Sequence, residues 1–235
     1  IECIHVCVCT KDNSFAVCAF TDKKVSYLEK KSKEMLVKFY KNDYSKIYDI
    51  FYGISMMTIC SNDSKIIYST VPELFFTIDL CIDKSCMTLY DCLDKHTGIE
   101  YMCKKNENAW FNVITNKYED VHKSIQFYKL PNILFFCLRR FSFDGRRKND
   151  QNISFQMVLD LQKYYCGNRT NNKYSLKALC YHMGRLNYGH YTCSVLHHIY
   201  PQWYYCDDEN IKKISESDVL KNTKQVYCLI YELVS

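Results

Sequence analysis

Two stretches toward the C-terminal end carry the residue types of acid–base chemistry. Asn187-Tyr188-Gly189-His190-Tyr191-Thr192 sets a histidine directly after a glycine, and Trp203-Tyr204-Tyr205-Cys206-Asp207-Asp208 brings a carboxylate seventeen residues after that histidine. A glycine there lets the backbone turn without a Cβ clash, so the imidazole can project from a strand start into a cleft. A carboxylate on a neighbouring strand then fixes the tautomer. Activating a nucleophile takes a base oriented by a third group, so His190 is the candidate base and Asp207 its orienting group. Taken alone, His190 fits a satisfied core histidine as well, and Asp207 a turn residue at a strand end.

Composition bounds what else the chain can be. Its 235 residues are 48% hydrophobic, enough for a substantial core in one large or two small domains. Lys and Arg number 31 against 26 Asp and Glu, a net +5 scattered along the chain, so nucleic acid is not an expected partner. Arg139-Arg140 and Arg146-Arg147-Lys148 are expected to be a solvated strand end and loop. No apolar run approaches eighteen residues, so no membrane span is expected. The fifteen cysteines are odd in number and run through apparent strands such as Phe135-Phe136-Cys137-Leu138, and the first residues do not have the charged-then-apolar pattern of a signal peptide. Most are therefore expected to be small, buried, reduced hydrophobes of a cytoplasmic or nuclear protein. The first residue is Ile rather than Met, as in a domain of something longer or a processed product.

The elements that must position His190 and Asp207 follow from periodicity. From Val25 to about Phe51, apolar residues including Leu28, Met35, Leu36, Phe39 and Ile47 recur at helical spacing among lysines, predicting one or two amphipathic helices. Strands are predicted over 54–60, 65–68, 75–80, 121–128, 133–141, 174–181, 190–197, 203–206 and 226–232, with a short helix capped by Thr88 over 88–94. Helices first and then a mostly antiparallel sheet make the chain α+β.

Six blocks in order resemble the ubiquitin-specific proteases, papain-like cysteine deubiquitinases. Lys129-Leu130-Pro131-Asn132-Ile133-Leu134-Phe135-Phe136-Cys137-Leu138-Arg139-Arg140-Phe141 is similar to the family's "KLP-x-VL" strand ending in "LKRF". Ile47-Tyr48-Asp49-Ile50-Phe51-Tyr52-Gly53 resembles "I-x-x-LF-x-G", and Thr88-Leu89-Tyr90-Asp91-Cys92-Leu93 resembles "SLE-x-CL". The His190 block, the Asp207 block and the closing Tyr227-Cys228-Leu229-Ile230-Tyr231-Glu232 complete the series. The resemblance implies a fingers, palm and thumb fold over residues 1–235, with 1–46 a reduced thumb-like helical part and 47–235 the palm and fingers. It implies ubiquitin and ubiquitinated proteins as partners and hydrolysis at the C-terminal glycine of ubiquitin. His190 would accept the thiol proton and later protonate the leaving lysine amine, Asp207 would orient the imidazole with Asp208 beside it as an auxiliary carboxylate, and Tyr191 and Trp203 would line the cleft.

The family nucleophile stands in a box near "GNTCY-x-NS", at the start of a helix. Here only the segment from Cys7 to Val17 offers a counterpart, with Asn13-Ser14 matching the family's Asn-Ser. In that register the cysteine falls on Thr10, and Cys9 becomes the nucleophile only with one residue inserted. The family's oxyanion-stabilising Asn maps onto Ile4 or His5, neither an amide. Three accounts stand: Cys9 is a displaced nucleophile, the box lies upstream, or the nucleophile is lost. The Ser32 to Phe39 stretch keeps Glu34 and Leu36 of the family's "QQDA-x-EFL" helix without its Gln and Asp. The fingers of the family often hold zinc through two Cys-x-x-Cys pairs. This chain has Cys60 with Asp63 and Cys103 with Asn106, so no zinc and no cofactor are expected, and Cys7/Cys9 and Cys81/Cys86 have no matching partner pair. The rival readings are a ubiquitin-binding pseudoprotease and an unrelated interaction scaffold.

Overall fold

A computed structural model describes residues 22–43, 45–64, 66–185 and 188–234. Along the chain run α1 (Asp22–Asp43), α2 (Lys46–Phe51), β1 (Gly53–Ser61), β2 (Ile67–Phe75), β3 (Thr77–Cys81), α3 (Leu89–Thr97), β4 (Glu100–Met102), β5 (Trp110–Asn112), β6 (Lys117–Glu119), β7 (Val121–Lys129) and β8 (Ile133–Arg139). Then come β9 (Val158–Asp160), β10 (Lys173–Arg185), β11 (Tyr188–Leu196), β12 (Trp203–Asp207), β13 (Asn210–Ile214), α4 (Glu216–Lys221) and β14 (Val226–Leu233). Thr88 caps α3 as expected, its hydroxyl accepting from the Asp91 amide while Asp91 accepts from the Thr88 amide.

The strands divide into two main sheets. A smaller one has the order β2-β1-β7-β4, and a larger one the order β13-β12-β11-β10-β14-β8-β3, with β9 also on β10. Among the described residues, the pairings between these strands are antiparallel except β3 on β8, with isolated parallel bridges at Thr88–Ser154 and Phe127–Tyr165. The sequence reading split β2 and misplaced its end, because Pro72 interrupts the apolar pattern. Pro72 lies on an edge strand opposite Met56, where its missing N–H leaves no central ladder bond unmade. The reading also passed over β13, whose Ile211, Lys212 and Lys213 make a short charged edge rather than an apolar alternation.

The main core lies on one face of the larger sheet. Leu134, Phe136 and Leu138 of β8, Leu229 and Tyr231 of β14, Leu176 and Leu179 of β10 and Trp203 of β12 pack there with Leu89, Cys92 and Leu93 of α3. A second cluster seats Leu28 of α1 on Ile54 and Met56 of β1. The Ser32 hydroxyl bonds back to the Leu28 carbonyl at 2.9 Å, so this polar residue is satisfied within its own helix.

Arg140 corrects the expectation of a solvated cationic pair. Arg139 is exposed, but Arg140 is only 1% exposed, and its guanidinium donates to four backbone carbonyls. These are Val226 at 2.6 Å, Asn149 and Gln151 at 2.9 Å each, and Thr223 at 2.8 Å. Burial pulls its pKa down to about 10, which still leaves it charged at neutral pH. The cysteines need correction too. Of the eleven described, five are buried, five half-buried and Cys81 exposed, because the strand cysteines alternate with the core positions.

The two incomplete knuckles fall at strand ends of the smaller sheet, Cys60 in the last residues of β1 and Cys103 directly after β4. Asp63 accepts from the Ser61 hydroxyl at 2.6 Å, and the Cys103 amide donates to Asn108 at 3.0 Å. One sulfur per knuckle makes a poor zinc site, so elemental analysis of purified protein should find far less than one zinc per chain; stoichiometric zinc resisting mild chelation would contradict this. Arg140→Met should lower unfolding free energy by about 3–5 kcal/mol in denaturant titrations, since it strands buried carbonyls. Arg140→Lys should recover little of the loss, because an ammonium lacks the planar fork. A loss below about 1 kcal/mol for both would show the clamp to be dispensable.

Candidate active site

His190 owes its place to alternation along β11. Thr192 and Ser194 point into the core, and His190 shares their face two residues nearer the open end of the strand. On β12, Trp203, Tyr205 and Asp207 share the facing side. The two strands are cross-pinned by the Tyr205 hydroxyl, which donates to Thr192 Oγ1 at 3.1 Å, and Ser194 meets Tyr181 of β10 at 3.1 Å. The register pairs Cys193 with Cys206, so Asp207 comes level with Thr192 and reaches diagonally to His190.

The outcome is a 2.6 Å contact between His190 Nε2 and Asp207 Oδ1. Both side chains stay close to two-fifths exposed. The hydrogen bond that the ring donates to Asp207 raises the imidazole pKa above its ordinary 6.5, with a further contribution from the charge of Asp208. Asp208 occupies the two-residue turn into β13 with φ of 49°, a left-handed conformation that Asp tolerates. Ligand atoms of His190, Asp207 and Asp208 lie within 4.8 Å of one another, a donor set a divalent cation could use. Nε2 is already committed to Asp207, so the carboxylate holds the imidazole in one orientation.

Beneath this pair lies a layer the sequence reading missed. Gly189 has no left-handed φ, so it is not there for a turn; a Cβ at 189 would fall on the His182 ring and stand 2.8 Å from the Met183 carbonyl. His182 is buried among Phe141, Tyr191 and Tyr227. Burial, with Lys148 nearby, lowers its pKa. Lys148 Nζ in turn donates to the His182 carbonyl at 2.6 Å. Tyr191 therefore belongs to this aromatic cluster on the face opposite His190, and Trp203, at 2% exposure, to the core rather than a cleft wall. No local signal in the sequence marks it, because the pairing of His182 with Tyr191 exists only in the register of β10 on β11. At the end of β10, where Met183, Gly184 and Arg185 meet the loop after β8, opens a cavity of about 610 Å³ lined also by Arg146, Lys148, Asp150 and Lys224. Cys7, Cys9, Thr10, Asn13 and Ser14 lie outside the described residues.

Comparison with known proteins places the chain. Residues 20–231 match the family model described as Ubiquitin carboxyl-terminal hydrolase, a span that begins after Cys9. Ubiquitin hydrolase B of Dictyostelium discoideum is 34% identical over 142 residues, 59% of this chain and 31% of that protein. Ubiquitin carboxyl-terminal hydrolase 27 of Homo sapiens is 33% identical over 162 residues, 61% of this chain and 36% of the relative. A solved structure of the yeast SAGA DUBm matches with a TM-score of 0.71 at 25% identity, over 87% of this chain and 45% of its own. The SAGA Ubp8/Sgf11/Sus1/Sgf73 DUB module bound to ubiquitin aldehyde matches in fold, with a TM-score of 0.71 at 21% identity, over 91% of this chain and 49% of that one. This chain thus spans less than half the length of each relative named. With the family model covering nearly all of it, the chain belongs to the ubiquitin carboxyl-terminal hydrolase family and has the α+β, papain-like fold of the ubiquitin-specific proteases.

Proposed function

We propose that the chain is a thiol-dependent deubiquitinase that cleaves the peptide or isopeptide bond at the C-terminal glycine of ubiquitin. The observation that carries this reading is the 2.6 Å bond from His190 Nε2 to Asp207. With Nε2–H held by the carboxylate, Nδ1 takes the proton of a thiol, assigned here to Cys9. The thiolate attacks the glycine carbonyl carbon, and the imidazolium returns the proton to the departing lysine amine. Water, deprotonated by His190, then hydrolyses the thioester. Asp208 adds negative charge that favours the imidazolium. A fold relative captured with ubiquitin aldehyde supports ubiquitin as the partner.

A second reading has its own support. The family match begins at residue 20, past Cys9, and Ile4 and His5 supply no amide for the oxyanion. On this reading the chain binds ubiquitin without a thiol of its own. A ubiquitin carrying a C-terminal electrophile separates the two. Hydrolase function predicts one covalent adduct, mapped to Cys9, abolished by Cys9→Ala and unaffected by Cys7→Ala. His190→Ala should slow adduct formation about 10²-fold or more. Saturable ubiquitin binding with no adduct would favour the binding module.

The dyad itself is tested by titration. NMR of the imidazole should give a midpoint above 6.5 for His190, and Asp207→Asn should bring it down. Because the folded value is raised, the pair supports folding below about pH 6.5, and that support fades as pH climbs through the folded value. A midpoint at or below 6.5 would contradict the hydrogen-bonded pair.

A further inference from the structure

Five cysteines distant in sequence form one row across the larger sheet. The registers pair Cys137 with Cys228, Cys228 with Cys180, Cys180 with Cys193 and Cys193 with Cys206. One thiol from each of β8, β14, β10, β11 and β12 therefore stands on the same face, away from the core positions Phe136, Leu138, Leu179 and Leu229. All five are half-buried and unbridged. Residues directly opposite in antiparallel strands have Cα atoms about 4.5–5.5 Å apart, inside the window of about 4.4–6.8 Å that a disulfide requires.

The row is not uniform. A hydrogen bond between the Cys137 and Cys228 thiols makes Cys137 more acidic than an ordinary thiol and Cys228 less so. Burial and the adjoining Cys206 sulfur, to which it is hydrogen-bonded, push Cys193 up. The Cys180 thiol turns instead to the Tyr181 carbonyl at 3.8 Å. The row thus divides into two thiol pairs and a lone member. An acidic thiol next to a second one is the arrangement found in thiols that exchange with disulfides.

We propose that Cys137 with Cys228, and Cys193 with Cys206, are thiol–disulfide exchange sites that close to cross-strand disulfides on meeting a small disulfide oxidant such as oxidised glutathione. The Cys137 thiolate attacks one sulfur of the oxidant, whose S–S bond breaks and releases one glutathione thiolate. Cys228, giving up its proton, then attacks the Cys137 sulfur of the mixed disulfide and expels the second glutathione. Two protein thiols are oxidised, the oxidant is reduced to two thiols, and the two protons pass to the departing thiolates. Cys206 and Cys193 follow the same sequence. Cys206 precedes Asp207 and Cys193 follows His190 by three residues, so the second bond locks together the strands that carry the dyad. This inference does not rest on hydrolase activity.

The test is to incubate the folded chain with oxidised glutathione, alkylate remaining thiols, and map linked peptides by mass spectrometry. Links Cys137–Cys228 and Cys193–Cys206 are expected, with Cys180 alkylated. Cys137→Ser should lose only the first link, Cys206→Ser only the second, and Cys180→Ser neither, with circular dichroism verifying the fold of each variant. Cys180 appearing in a link would overturn the proposal. So would folded wild-type protein that forms no link under conditions where the urea-unfolded chain oxidises.

Discussion

The buried guanidinium of Arg140 is the constraint on which the neighbourhood of the candidate site depends. A cation at 1% exposure must be satisfied by hydrogen bonds, and Arg140 achieves this through four carbonyls drawn from two separate stretches of the chain, 149–151 and 223–226. It thereby fastens the loop after β8 to Thr223 and to the start of β14. That loop also delivers Lys148 to the His182 carbonyl. His182 in turn occupies the space left by the missing side chain of Gly189, and the next residue is His190. Placement of the imidazole is thus transmitted from a structural cation through one lysine, one neutral histidine and one glycine.

The same sheet treats its two faces differently. On the core side, hydroxyls of Tyr181 and Tyr205 satisfy Ser194 and Thr192, so β11 can carry polar residues inward without stranding them. On the other side the alternate positions carry small, polarizable thiols in register. The dyad sits at the open end of the first face, and the thiol row crosses the second, one residue out of phase with Asp207.

Much of this was legible in the sequence because the signals are local. The Thr88 cap, the alternation of β7, β8 and β14, and the paired His190 and Asp207 blocks each declare themselves within a few residues. What the sequence hid depends on distant partners. Arg140 looks like one half of a solvated pair, since its acceptors are backbone carbonyls up to 86 residues away and backbone carbonyls leave no mark in a sequence. Gly189 suggested a turn, whereas a His182 ring seven residues earlier is what excludes a side chain. The cysteine row is invisible for the same reason, because it exists only in the register of five strands. Cys9 remains tied to a degenerate box that composition and spacing leave in competing registers.

The central claim is that Nδ1 of His190 serves a thiol while Asp207 holds Nε2. It is tested most directly by the distance from His190 Nδ1 to the nearest cysteine sulfur in a crystal structure of the protein bound to ubiquitin. The account predicts the Cys9 sulfur within hydrogen-bond reach, about 3–4 Å. A ubiquitin tail seated beside His190 with no cysteine sulfur in reach of Nδ1 would contradict it.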